Sequence, residues 1–111
     1  MGKLLLLLFL PFFLLGQGEY NQWRFGYGSG LDFNSGSPIV VESSIQSAES
    51  AASVSNCSGE LLFYTDGETV WASNNSIMDG GFDLRGVGGA YPSSQGAIIV
   101  KRPNSSSIYY I

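Results

Sequence analysis

The sequence predicts an all-β fold built from antiparallel hairpins and meanders. Three observations point there. No window of about 11 residues after the first 18 repeats apolar residues at helical spacing. Short runs rich in β-branched and aromatic residues are separated by Gly, Pro, Asn and Asp, as in all-β chains. Finally, 15 glycines and an aromatic content of 14% in 111 residues describe a chain of many turns and half-buried strands.

The chain opens with Met1-Gly2-Lys3, a short positive segment. An unbroken apolar run of 12 residues follows, Leu4 to Leu15, and ends in the small-x-small triplet Gly16-Gln17-Gly18. These are the parts of a secretory signal peptide in order. The run is too short for a membrane span, which takes about 20 apolar residues, and Pro11 in its middle would break a helical hydrogen bond. The expected division is therefore a signal peptide over 1–18 and a β domain over 19–111. Cleavage after Gly18 is expected, with cleavage after Gly16 as the alternative, and no stable membrane span remains. No cysteine closes the apolar run, so lipid attachment to a mature N-terminal cysteine is excluded.

From Trp23 to Val41 aromatic and apolar residues alternate with glycines: Trp23, Phe25, Tyr27, Leu31, Phe33. Two short strands are expected there, near 23–26 and 38–41. Ser47 to Ser55 is Ala-rich but carries no apolar stripe and is not read as a helix. The clearest stretch is a three-stranded meander. A strand over 51–55 leads into the turn Asn56-Cys57-Ser58-Gly59, where Gly59 supplies the left-handed conformation. The second strand, 60–65, places Leu62 and Tyr64 on one face and Leu61 and Phe63 on the other. Being apolar on both faces, it is expected to be central. Asp66-Gly67 reads as a two-residue type I′ turn, and a third strand covers 68–71. Residues 74–91 are Gly-rich and read as loop around Ile77-Met78. A closing hairpin is expected from strands at 97–101 and 107–111, joined by Arg102-Pro103-Asn104-Ser105-Ser106. The last residues, Tyr109-Tyr110-Ile111, are strand-like, which suggests that the domain is cut off within a strand.

Charge and composition exclude several functions. The formal net charge is −4, and loss of Lys3 with the leader makes it one more negative. Of the remaining cations, Arg24, Arg85, Lys101 and Arg102, only the last two are adjacent, so no basic surface for nucleic acid is present. The chain has no histidine, which removes the commonest general base and zinc ligand and leaves a Ser-His-Asp triad incomplete. Cys57 is alone and closes no loop. Asn56, Asn74 and Asn104 each open an Asn-x-Ser sequence, a pattern that arises readily in an Asn/Ser-rich chain.

Catalytic motifs are equally scarce. Gly26-Tyr27-Gly28-Ser29-Gly30 begins like a dinucleotide fingerprint but lacks its last glycine and a following helix. Thr65-Asp66-Gly67-Glu68-Thr69-Val70-Trp71 has the residue types of the Asp-box turn of sialidase-type propellers, but Asp and Gly are adjacent and Val70 intervenes before Trp71. An ordinary Asp-Gly hairpin followed by a packed Trp fits better. Asp32, Asp66, Asp79 and Asp83 lack the regular spacing of a calcium loop and suit turns. No pair among the acidic residues is marked out for glycosidase chemistry. No catalytic, cofactor-binding or metal-binding residue is expected, and no cofactor. Trp23, Tyr27, Trp71 and Tyr91 are the candidate ligand-contacting aromatics, although core packing competes for most of them. Gly59, Asp66 and Gly67 are expected to be structural turn residues.

Asn21-Gln22-Trp23-Arg24-Phe25-Gly26, Gly30-Leu31-Asp32-Phe33 and Gly36-Ser37-Pro38 come in the order of one known family. So do Gly59-Glu60-Leu61-Leu62-Phe63-Tyr64-Thr65-Asp66-Gly67, Val70-Trp71, Ser94-Gln95-Gly96-Ala97-Ile98-Ile99-Val100 and Ile108-Tyr109-Tyr110-Ile111. The pattern resembles the N-terminal part of large secreted β-propeller proteins of gliding, type IX-secreting bacteria, which often end in a gliding-motility-associated C-terminal sorting domain. The resemblance covers nearly all of residues 19–111. It implies that these residues form the first blade or blades of an incomplete β-propeller with WD-like repeats, continued beyond Ile111. It also implies a secreted or cell-surface location and carries over no catalytic residues. The function it favours is a binding or scaffolding module for protein or glycan partners, linked to gliding or adhesion. The alternatives are part of an exported sialidase- or glycosidase-type enzyme, or a stand-alone carbohydrate-binding β-sandwich. A lone blade lacks the neighbours that repeat arrays need, so the chain by itself is expected to dissolve poorly or only as an oligomer.

Overall fold

The structure, a computed structural model, describes residues 18–47, 49–84 and 96–111. Residues 1–17, which hold most of the expected signal peptide, residue 48, and residues 85–95 of the Gly-rich stretch, with Tyr91, lie outside the described residues. The expected all-β class is observed: three antiparallel sheets and no α-helix among the described residues. None of the described helices is long and apolar enough to cross a membrane.

A 3-10 turn, Gly18–Tyr20, leads into the first sheet, formed by β1 (Gln22–Arg24), β2 (Ser29–Asp32) and β3 (Ile39–Glu42) in that order. Strand β2 is absent from the sequence expectations, because Ser29-Gly30-Leu31-Asp32 carries a single apolar side chain. Its reason for being there is steric. A Cβ on Gly30 would stand 2.5 Å from the Trp23 carbonyl oxygen, 2.8 Å from Arg24 Cδ and 3.1 Å from Val41 Cγ2. Only glycine lets the Arg24 side chain cross β2 at this point. The β1–β2 turn is made by two consecutive left-handed residues, Tyr27 (φ 57°) and Gly28 (φ 76°), and closed by the Phe25 N–H donating to the Ser29 carbonyl at 2.8 Å.

The second sheet is the expected meander, β4 (Ala52–Ser55), β5 (Leu61–Thr65) and β6 (Val70–Ala72), with β5 central. Two details differ. The β5–β6 connection is not a two-residue type I′ turn. Thr65 pairs with Val70, which leaves four residues, 66–69, in the loop, and only Gly67 (φ 92°) is left-handed. Side chains hold this wider loop. Asp66 Oδ1 accepts from the N–H groups of Glu68 (2.9 Å) and Thr69 (2.8 Å). Thr65 Oγ1 accepts from Gly67 N–H (2.9 Å) and donates to the Thr69 carbonyl (2.7 Å). An Asp side chain that bonds its own downstream backbone replaces the strained pair of residues a two-residue turn needs. The other difference concerns the faces of β5. The register shifts at Val54/Ser55, so that Val54 pairs with Phe63 and Ser55 with Leu61. The irregularity breaks the strict alternation, and Leu61, expected opposite Tyr64, packs against the same cluster as Tyr64.

Gly59 takes φ 82°, as its turn position requires. The outer edge of β6 is covered by the returning segment. Val70 N–H donates to the Gly81 carbonyl (2.7 Å), Met78 N–H to the Val70 carbonyl (2.9 Å) and Ala72 N–H to the Ser76 carbonyl (2.8 Å). The closing hairpin, β7 (Val100–Lys101) with β8 (Tyr109–Tyr110), is shorter than expected. It leans on the second sheet through Tyr109, whose ring meets Phe63 edge-on at 5.4 Å.

The first two sheets are joined by side chains. Ser53 Oγ on β4 donates to the Gln22 carbonyl (2.8 Å) and accepts from Arg24 N–H (3.3 Å) on β1. Behind this seam sits a small core of Ile45, Tyr64 and Trp71. Tyr64 is fully buried. Its hydroxyl accepts from Ser44 N–H at 2.9 Å and donates to Asn75 Oδ1 at 2.7 Å, tying the exit of β3 to the loop after β6.

Candidate functional site

The first sheet has two chemically opposite faces, and the register assigns residues to them. Trp23 pairs with Leu31, and Leu31 with Val40. Arg24 pairs with Gly30, and Gly30 with Val41. Gln22 pairs with Asp32, and Asp32 with Ile39. Because successive strand residues point to opposite faces, Trp23, Leu31 and Val40 share one face with Phe25 and Phe33. Gln22, Arg24 and Asp32 share the other.

The polar face is the buried one. Gln22 is 6% and Arg24 9% exposed. Gln22 Nε2 donates to Asp32 Oδ2 (2.8 Å) and to the Gly59 carbonyl (3.1 Å). Arg24 Nη1 donates to Gln22 Oε1 and to the Trp23 carbonyl, both at 3.1 Å. The Asn34 N–H donated to Asp32 Oδ1, then the Gln22 amide, hold the Asp32 carboxyl below its ordinary range, and Arg24 adds a smaller favourable charge. Burial lowers the Arg24 guanidinium, opposed by Tyr64 and by Asp32. Buried polar groups need such partners, and these fix the sheet against the Gly59 turn.

The apolar face is the open one. Val40 is 77%, Trp23 47% and Phe25 39% exposed. The indole is fixed: Trp23 Nε1 donates to the Tyr20 carbonyl at 2.8 Å. Phe33 lies 5.3 Å from the Trp23 ring at a tilt of 57°, and Phe25 lies 6.1 Å away at 83°. Beside them is a shallow hollow of about 240 Å³ lined by Tyr20, Trp23 and Phe25 and, on its polar side, by Gln22, Arg24 and Ser53. Strand β3 forms an edge of this sheet, and its Ile39, on the opposite face in register with Gln22 and Asp32, is more than half exposed there. Trp23, Phe25, Leu31, Phe33 and Val40 make this face a continuous apolar surface. It offers three tilted aromatic rings and two aliphatic chains, and the indole N–H is already bonded.

Of the four candidate aromatics, Trp23 lies at the centre of this face. Tyr27 stands 74% exposed at the tip of the β1–β2 turn. Trp71 is placed in the core rather than on this face: it is 9% exposed and stacked on Tyr64 with centroids 5.4 Å apart. A Trp on β6 is drawn inward because its cross-strand partner, Tyr64, already fills the core. Tyr91 lies outside the described residues. Leu31, Phe33 and Val40 are absent from the expected contacts. The alternation Trp23/Phe25 and Leu31/Phe33 is present in the sequence, but only the unexpected strand β2 brings the two pairs side by side.

Asp32 accepts at both carboxylate oxygens, and Asp66 at Oδ1, from the chain's own N–H donors. Among the described residues no three His, Cys, Asp or Glu side chains cluster as metal ligands would. Cys57 is exposed and free. Comparison of the chain with models of known protein families, with curated proteins and with solved structures returned no match.

Proposed function

We propose that this chain is a non-enzymatic binding and scaffolding module at the N-terminal end of a secreted, cell-surface β-propeller-like protein, and that it works by packing the apolar face of its first sheet against protein. The observation that carries this reading is the inversion of that sheet: Gln22 and Arg24 are buried while Trp23 and Val40 are open. Sheets pack face to face about 10 Å apart through interdigitating apolar side chains. Trp23, Phe25, Leu31, Phe33 and Val40 offer such a surface. Five apolar side chains side by side suit an apolar protein surface better than a sugar, which needs several polar groups placed around its stacking ring, so we take the partner to be protein. Blade-to-blade packing in a repeat array is the same contact made within one chain. The family resemblance adds the link to gliding or adhesion and the extracellular address.

Site-specific photocrosslinking tests this reading. A photoreactive residue replaces Val40 in one variant and Asn104, in the exposed β7–β8 turn, in another, and both are produced in cells that export the protein. Adducts with protein at 40 and none at 104 are expected. Equal labelling at both positions, or glycan adducts at 40, would contradict it.

A further inference from the structure

Gly18 is the second residue after the small residue Gly16, and the small-x-small spacing alone favours removing it with the leader. Its surroundings say otherwise. Gly18 is buried. Its N–H donates to the Cys57 carbonyl at 3.3 Å, and its carbonyl accepts from Asn21 N–H at 3.0 Å. The same carbonyl accepts the hydroxyl of Ser55 at 2.7 Å, and Ser55 is 1% exposed. Gly18 is also seated where no side chain fits: a Cβ would stand 2.7 Å from the Cys57 carbonyl oxygen and 2.8 Å from Gly59 Cα, and would collide with the Gly59 backbone nitrogen. The residue therefore caps the β4–β5 turn from outside and opens the 3-10 turn that delivers Tyr20 to the Trp23 indole.

Cleavage after Gly18 would remove the only bond the structure gives to the buried Ser55 hydroxyl and place the new ammonium group of Glu19 beside the emptied seat. A buried hydroxyl left without its partner is costly. We infer that the leader is cut between Gly16 and Gln17, so that Gln17 is the first residue of the mature chain and Gly18 is retained as part of the fold. The bond broken is the Gly16–Gln17 peptide, hydrolysed by water to a carboxylate on the leader and an amine on Gln17. Both candidate bonds follow a glycine; the cut after Gly16 has Leu14 where the small-x-small pattern would place a second small residue, so the case for it rests on the seat of Gly18 in the fold. The inference rests on the signal-peptide reading of the first residues and is independent of the proposed docking face.

The test is the exported product of the full chain, Met1 to Ile111, analysed by intact mass and N-terminal sequencing alongside the variant Gly18→Ala. Cut after Gly16, the wild-type product begins at Gln17, or at its cyclised form lighter by one ammonia. The variant product is then heavier than wild type by one methylene and melts at a lower temperature, because the added methyl group meets the Gly59 backbone. Cut after Gly18, the two mature products are the same molecule, with equal mass and equal melting temperature. That outcome overturns the inference, as does an exported product still beginning at Met1. If the variant product is not recovered, the N-terminus of the wild-type product decides alone.

Discussion

Replacing Tyr64 by Phe removes one oxygen atom and leaves the ring stacked on Trp71. That oxygen accepts from Ser44 N–H at 2.9 Å and donates to Asn75 Oδ1 at 2.7 Å, so it joins the segment after β3 to the loop after β6 across the only buried apolar cluster of the described residues. Each bond contributes about 1 kcal/mol net, and a half-buried N–H left without a partner adds to the loss, so a destabilisation of about 2 kcal/mol follows. In urea, with a slope of roughly 1–2 kcal/mol/M for a chain this small, the unfolding midpoint falls by about 1–2 M at unchanged slope. Amide hydrogen exchange reads the same event locally: Ser44 N–H, protected in the parent, exchanges faster in Tyr64→Phe. A midpoint within the error of the parent, with Ser44 equally protected, would refute the idea that this hydroxyl couples the two sheets.

Other outcomes follow from the same geometry. Gly30→Ala puts a methyl group against the Trp23 carbonyl and Arg24, and a loss of about 1–3 kcal/mol is expected from overpacking, with a red-shifted Trp emission as β1 separates from β2. Asp66→Ala removes two backbone bonds from the β5–β6 loop and lowers stability by about 1–2 kcal/mol in urea titration. Asp32 titrates below its ordinary range in the folded chain, so its contribution is present above the unfolded carboxyl's pKa and is lost as pH falls through the lower folded value. The stability gap between parent and Asp32→Asn should therefore narrow on acidification below about pH 4, and a gap constant down to strong acid would be inconsistent with the hydrogen bonds assigned to this carboxylate.

The meander is legible in the sequence because each of its strands carries several apolar residues and its turns carry Gly59 and Gly67. Strand β2 is not, because Gly30 is there for the backbone contact it permits and has no side chain to mark a strand. The same gap hides the apolar face, whose Trp23–Leu31–Val40 row exists only once β2 lies between β1 and β3. The Asp66-Gly67 turn departs from expectation for a different reason. The dipeptide fits a two-residue turn, but Thr65 and Asp66 can bond the following backbone with their own oxygens and so support a wider loop. Left-handed residues in succession occur instead at Tyr27-Gly28, where a tyrosine gives no sequence signal for them. Trp71 shows the limit of composition: exposed and buried aromatics look alike until their cross-strand partners are known.

The central claim is that the apolar face of the first sheet is built to be covered. Sedimentation velocity of the exported chain over a wide concentration range, with an apolar-surface dye and the Val40→Lys variant as control, tests it most directly. Concentration-dependent association and dye binding are predicted for the parent, both reduced by Val40→Lys without loss of β-sheet signal. A parent that stays monomeric, binds no dye and melts in one sharp, concentration-independent transition would contradict the account.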